Sequence, residues 1–278
     1  MNECPNHRAR TRQLSLFSLL GLALAVSERG AAEEGPSPPT APAPPFAVVE
    51  LFTSEGCSSC PPAEAFVGDL TREARASGGR VYTLAFHVDY WDYLGWKDPF
   101  GDAAHTKRQQ GYAQALRAGN VYTPQMIVNG ADAFVGSDRD KGRQAIEAAL
   151  GLPAAVRLAL NVEPAPEGVK VGYELNALGK TVLLNVALLE RGLVTAVGRG
   201  ENAGRTLHHE NVVRVFKSLP LTGDAQGSLS LFPPKLFKSE HASVIAFAQD
   251  PKSYRIVAAT QADLTSGRGP KTQASVEP

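Results

Sequence analysis

Cysteine is scarce in this chain, with 3 in 278 residues, and tryptophan and methionine number 2 each. There is no second Cys-x-x-Cys and no Cys-x-x-x-Cys, so the spacings of a four-cysteine zinc site or a copper chaperone are missing. Net charge is also missing, since 28 basic residues face 28 acidic ones. A binder driven by phosphate contacts needs a basic excess, so nucleic acid is not an expected partner. There is no Gly-x-Ser-x-Gly elbow, no His-Glu-x-x-His and no phosphate loop, which removes the usual signals of hydrolase and nucleotide chemistry. No internal repeat occurs. After the N-terminal region, no stretch approaches the roughly 18 continuous apolar residues of a membrane helix.

What is there begins with a leader. Arg8, Arg10 and Arg12 precede an apolar run from Leu14 to Val26, and small residues follow at Gly30, Ala31 and Ala32. The run is shorter than the roughly 20 residues that span a bilayer. Charge, apolar run and small residues in that order predict a cleaved export signal over 1–32, and hence a periplasmic or secreted protein with no membrane attachment once processed. No Leu-x-x-Cys lipid-attachment pattern follows. Cleavage after Ala32 would remove Cys4 and leave only Cys57 and Cys60. Residues 33–45 contain the run Gly-Pro-Ser-Pro-Pro-Thr-Ala-Pro-Ala-Pro-Pro, which reads as an extended linker.

From 46 to 152, strand and helix patterns alternate. Ala47–Phe52 and Arg80–Val88 are apolar strands. Cys57 to about Ala76 carries Ala63, Phe66, Val67 and Leu70 at helical spacing. Asp102–Leu116 is a second helix, and Gln125–Asn129 is a strand. Asn129-Gly130 signals a hairpin to Ala133–Val135. Asp138–Leu150 is a helix with Asp138 as N-cap and Gly151 past its end. This order predicts one mixed sheet flanked by helices. After Pro153 helix signals fade. Strand-like runs at 156–160, 169–173, 182–188, 211–215, 228–232, 243–248 and 254–260 predict an antiparallel β-sandwich over 153–265, and 266–278 reads as a polar, disordered tail.

The chemistry centres on Cys57-Ser58-Ser59-Cys60. A two-residue gap closes too small a loop to stabilise a fold much, so redox chemistry or metal binding is the better reason for the pair. The pair follows a strand and opens a helix, where unpaired N–H groups and the macrodipole favour a thiolate at Cys57. Cys60 is placed to resolve a mixed disulfide. Pro61 and Pro62 suit the first helical turn. Thr123-Pro124 stands directly before a strand and is a candidate cis bond. Together these resemble the thioredoxin superfamily. The resemblance implies that Pro124 faces Cys57 and that Thr123 offers its backbone to an extended peptide. It also implies that Glu50, seven residues before Cys57, is a buried carboxylate that moves the proton of Cys60. The alternative for Glu50 is a surface side chain of an edge strand.

A narrower resemblance rests on three blocks: Val49–Ala63 (VELFTSEGCSSCPPA), Ala85–Phe100 (AFHVDYWDYLGWKDPF) and Tyr122–Gly130 (YTPQMIVNG). They are similar to the secreted thioredoxin-like family catalogued as domain of unknown function 1223, as is Glu201–Arg214 (ENAGRTLHHENVVR). That family implies fold and export, not a substrate. Unlike ordinary thioredoxins, this chain has Ser-Ser between the cysteines and inserts aromatics and acids after its second strand. Tyr90, Trp91, Tyr93 and Trp96 would line a groove beside the dithiol, with Tyr122 and Thr123 nearby, or else form a satellite core. His87, Asp89 and Asp92 with Cys57 and Cys60 are the residues for a copper or zinc alternative. His208-His209-Glu210 reads as a surface or domain contact. The expected function is thiol–disulfide exchange with protein or small-molecule thiols, through Cys57, Cys60, Pro124 and Glu50 and without cofactor or metal. Its rival is a secreted binding module with a structural disulfide.

Overall fold

The structure, a computed structural model, describes residues 43–176 and 179–264. The segments expected to be an export signal and a disordered tail, and most of the expected linker, lie outside the described residues. Elements follow in the order β1 (Ala47–Thr53), α1 (Pro61–Ser77), β2 (Val81–His87), α2 (Ala103–Ala115), β3 (Gln125–Val128), β4 (Asp132–Val135), α3 (Arg139–Leu150) and β5 (Arg157–Ala165). The chain continues with β6 (Gly168–Asn176), β7 (Thr181–Glu190), β8 (Leu193–Ala196), β9 (Thr206–His209), β10 (Val212–Thr222), β11 (Ala225–Leu231), β12 (Ala242–Gln249) and β13 (Ile256–Asp263).

Helix α1 starts at Pro61, later than the expected Cys57. Prolines occupy its first positions, and Cys60 is the N-cap. Cys57 lies in the preceding turn, with its N–H on the Ser54 carbonyl at 3.1 Å and its carbonyl accepting from the Cys60 N–H at 3.2 Å. Helix α1 ends at Gly78, which takes the left-handed conformation with φ 65°. Asp102 and Asp138 cap α2 and α3 through bonds from the backbone N–H of Ala104 and Lys141. The β3–β4 turn is built on Asn129 and Gly130, both at positive φ.

An eight-stranded sheet in the order β13-β12-β7-β10-β2-β1-β3-β4 runs through both halves of the chain. It is antiparallel except where β2 pairs with β1 and with β10. Strand β1 is interior and buried on both faces. Val49 and Leu51 pack with Phe66, Val67, Leu70 and Ile146 of α1 and α3. Val48 and Phe52 pack on the other face with Tyr112 of α2 and with Phe247 and Ile256.

The sandwich expected over 153–265 does not form as a separate body. β7, β10, β12 and β13 extend the sheet of the first half, so no sheet boundary falls at 152/153. The three-stranded sheet β11-β6-β5 supplies the second layer: Val169, Val171 and Leu175 pack on Leu184, Val186, Val244 and Ala246. β8 and β9 form a two-stranded hairpin that no sequence signal singled out.

Candidate functional site

Cys57 and Cys60 form a disulfide at the entry of α1, and both are fully buried. Ser58 and Ser59 between them are exposed. Three pieces of chain surround the pair. The first is the Thr123–Pro124 loop, whose peptide bond is cis. A Cβ on Gly136 would lie 3.1 Å from the Ala63 Cβ and 3.3 Å from the Pro124 Cβ, so Pro124 packs beside the first turn of α1.

The second piece is the aromatic block. Trp91 Nε1 donates to Thr123 Oγ1 at 2.8 Å. The Trp91 Cβ stands 2.9 Å from where a Cβ on Gly56 would be, which leaves glycine as the residue that fits. Tyr90 turns inward, donating to Gln109 Oε1 at 3.2 Å, and burial pushes its phenol up to about 12. Gln109 Nε2 in turn donates to the Tyr122 carbonyl and to Gln125 Oε1, both at 2.8 Å. Tyr122 and Tyr93 are the exposed aromatics here, and Tyr93 stacks on Trp91.

The third piece, the β8–β9 connection, was not legible as part of the site. Asn202 is buried, and its Nδ2 donates to the carbonyls of Glu55 and Cys57, both at 2.9 Å. Glu201 Oε2 accepts from the Ser58 N–H at 2.9 Å and its hydroxyl at 2.6 Å, and these bonds lower the Glu201 pKa. A Cβ on Gly200 would lie 3.9 Å from the Gly56 Cα. This connection therefore lies directly over the cysteine turn.

Beneath the turn is a buried ionisable network. Glu64, one turn into α1, accepts from Thr53 Oγ1 at 2.6 Å through Oε1 and meets His209 Nδ1 at 2.6 Å through Oε2. His209 Nε2 meets Glu55 Oε1 at 3.0 Å, and Glu55 Oε2 accepts from Trp96 Nε1 at 2.7 Å. Burial opposes a charge on His209, but Glu64 and Glu55 outweigh it and push the imidazole up to about 10. Burial likewise opposes charge on Glu64, and His209 reverses this to lower its pKa. His87 Nδ1 lies 2.8 Å from Asp98 Oδ2, which also accepts from the Glu55 N–H at 2.8 Å. Against burial, the His87 interaction and the N–H groups of Glu55 and Phe100 bring Asp98 down to about 2.

Of the surface or domain contact expected of His208-His209-Glu210, His209 makes the second kind: it is interior and ties the second half of the chain to Glu55 and Glu64 of the first. The metal set drawn from sequence is not assembled. Asp89 instead accepts from Thr106 Oγ1 at 2.5 Å, and Asp92 accepts from the Asp98 N–H at 3.2 Å.

Glu50 is buried in an interior strand, not on an edge. Its carboxylate takes Arg108 at 2.6 Å and 3.0 Å and also the Tyr112 hydroxyl. Residues 50 and 53 of one strand point to opposite faces. Glu50 therefore faces α2, while Thr53 faces α1 and Glu64. Of the two buried carboxylates, Glu64 is the one on the helix that carries Cys60.

The family described as protein of unknown function (DUF1223) matches residues 48–249. No curated protein matches the sequence. Among solved structures, protein AGR_C_4864 from Agrobacterium tumefaciens is similar at 27% identity and TM-score 0.61, over 81% of this chain and 96% of that one. HBP35 of Porphyromonas gingivalis is similar at 16% identity and TM-score 0.58, over 85% of this chain and 80% of that one, a likeness of fold alone.

Proposed function

The chain belongs to the family of proteins of unknown function DUF1223, and from that starting point we propose an exported, thioredoxin-like thiol–disulfide oxidoreductase acting through Cys57 and Cys60. The observation that carries the reading is a disulfide between Cys57, in the turn before a helix, and Cys60, the N-cap of that helix. The helix sits in a β1-α1-β2 then β3-β4-α3 order, which supports a thioredoxin-like unit over 46–152. The periplasmic or secreted location rests on the Arg8–Ala32 pattern alone.

In the oxidising direction, a substrate thiolate attacks Cys57 Sγ, the Cys57–Cys60 bond breaks, and Cys60 leaves as a thiolate. A second substrate thiolate attacks the mixed disulfide and releases Cys57. Two electrons pass from substrate to protein and a substrate disulfide forms. In the reducing direction the steps reverse, with Cys60 resolving the mixed disulfide. The macrodipole at the start of α1 favours a Cys57 thiolate in both directions, while Pro61 and Pro62 offer no N–H and those of Ala63 and Glu64 go to the Cys60 carbonyl. Thr123 and Pro124 border the turn, and Tyr93 and Tyr122 offer exposed aromatic surface to a partner thiol or disulfide.

The complete burial of both cysteines favours a second reading, a structural disulfide in a binding module. A glutathione redox series, with thiols alkylated and counted by mass, separates the two. A potential between about −120 and −270 mV is expected of an exchanger, whereas a pair still oxidised below about −300 mV would establish the structural role. Cys57→Ser is expected to abolish exchange with small disulfides, and full activity in that variant would overturn the assignment.

A further inference from the structure

We propose that Glu64, His87 and His209 form a site for one divalent transition-metal ion of the zinc class, separate from the cysteines. Ligand atoms of these three buried residues all lie within 4.8 Å of one another. Proximity alone is a weak sign, but two further observations point to a cation.

The first is an orphan nitrogen. His87 is fully buried, and its Nε2 has no hydrogen-bond partner. Its Nδ1 lies 2.8 Å from the Asp98 carboxylate, which can only accept, so Nδ1 carries a proton and Nε2 is left to bind something else. A buried imidazole nitrogen without a partner costs stability. A metal ion at Nε2 removes that cost.

The second is charge. Glu55, Glu64 and Asp98 are three buried carboxylates. Among the described residues their ion pairs go to His87 and His209, and to no lysine or arginine. A proton on His209 offsets one of the three carboxylate charges, and a divalent cation in place of that proton offsets two.

The hydrogen bonds around the site have the form that supports metal-bound histidine. A ligating imidazole usually donates its other N–H to a carboxylate, which fixes its tautomer and orientation. His87 does this from Nδ1 to Asp98, leaving Nε2 for the ion. His209 does it from Nε2 to Glu55 at 3.0 Å, leaving Nδ1 for the ion. Glu64 Oε2, 2.6 Å from that Nδ1, would move from hydrogen-bond partner to fellow ligand, while Oε1 keeps its bond from Thr53. Two imidazoles and one carboxylate suit zinc, with cobalt as a spectroscopic substitute. The ion would join β9 to α1 and β2 beneath the cysteine turn, which assigns it a structural role there.

The test uses the full chain with its disulfide intact, and in parallel the Cys57→Ser/Cys60→Ser variant. Both are stripped with a chelator, loaded with Zn²⁺ or Co²⁺, gel-filtered and assayed for metal by mass spectrometry. One retained ion per chain is expected in both, and the Co²⁺ form should show d–d bands without thiolate-to-cobalt charge transfer. His87→Gln should weaken binding at least about 100-fold, and Asp98→Asn, which only loses the support of His87, about 10- to 100-fold. Failure of the folded, disulfide-intact chain to retain metal would overturn the proposal. So would thiolate charge transfer in the wild-type Co²⁺ spectrum, or undiminished binding by a folded His87→Gln chain. Should His87→Gln not fold, the wild-type stoichiometry and Co²⁺ spectrum still decide. None of these readouts depends on exchange activity, so the redox reading stands or falls separately.

Discussion

Glu50 and Glu64 are both buried carboxylates near the cysteine turn in sequence, and their surroundings give them different work. Glu50 is neutralised by a guanidinium stacked among Phe86, Tyr112, Phe216 and Phe247, with Arg108 Cζ 4.8 to 5.5 Å from the ring centres. Burial opposes the Arg108 charge, and Glu50 more than offsets that and raises its pKa. Arg108→Leu leaves Glu50 buried and uncompensated, so a loss of about 3–5 kcal/mol is expected in urea unfolding. Glu50→Leu combined with Arg108→Leu should recover part of that loss; a double variant as unstable as the single one would contradict the pairing. His209 lends itself to a pH test in chelator-treated protein. Its folded pKa of about 10 lies above the ordinary 6.5. Stability from this group is then fully present below about pH 6.5 and is lost as pH rises through about 10. The melting temperature should fall over that window in the metal-free chain. His209→Gln should flatten the fall, and an equally steep fall in that variant would refute the assignment. Sequence could give the alternation here but not its phase. Adjacent strand residues point to opposite faces, so one of His208 and His209 had to turn inward. Which one depends on β9 lying against α1, and nothing local encodes that.

Among the elements, those closed by local chemistry were legible and those closed by distant contacts were not. The β3–β4 turn needs two residues tolerant of positive φ, and Asn129-Gly130 announces them. Helix α3 carries its N-cap in Asp138. The helix expected from Cys57 begins only at Pro61: the apolar periodicity starts at Ala63, and the prolines mark the first turn. The β8–β9 hairpin has strands of four residues each, and the connection between them reads as loop punctuated by Gly198, Gly200 and Gly204. Its function as a cover depends on Asn202 reaching two carbonyls of the cysteine turn. Each such bond contributes on the order of 1 kcal/mol, so Asn202→Ala should raise the population with Cys57 uncovered by roughly tenfold or more. The rate at which a soluble dithiol reduces the disulfide should rise by a similar factor. An unchanged rate in a variant with normal near-UV circular dichroism would mean that the connection does not limit access.

At the scale of the whole molecule, the change in pattern at Pro153 is real but does not divide the fold. Period-two alternation tells which face of a strand is buried, not which sheet the strand joins, and pairing is a non-local choice. The seam between the halves is short: Val212 opposite Ala85, with the Ala85 N–H on the Asn211 carbonyl at 2.9 Å. The core beneath it is broader. Phe52, Phe86 and Tyr112 share one cluster with Ala187, Leu189, Val213, Ile245 and Phe247. Gln249 Nε2 donates to the Tyr112 hydroxyl at 2.8 Å, tying β12 to α2. His209 from the second half closes the network under the cysteines. A fragment of residues 43–152 would therefore expose one face of β2 and α2, leave Arg108 and Tyr112 without Gln249, and leave Glu55 and Glu64 without an imidazole partner. Such a fragment is expected to lack cooperative thermal unfolding and to lose near-UV circular dichroism, with its backbone amides exchanging far faster than in the full chain. The opposite result, a fragment that melts cooperatively and keeps full-chain amide protection in β1, β2 and β3, would restore a domain boundary at 152/153. It would also mean that the shared core follows from docking of two finished domains rather than being a condition of folding.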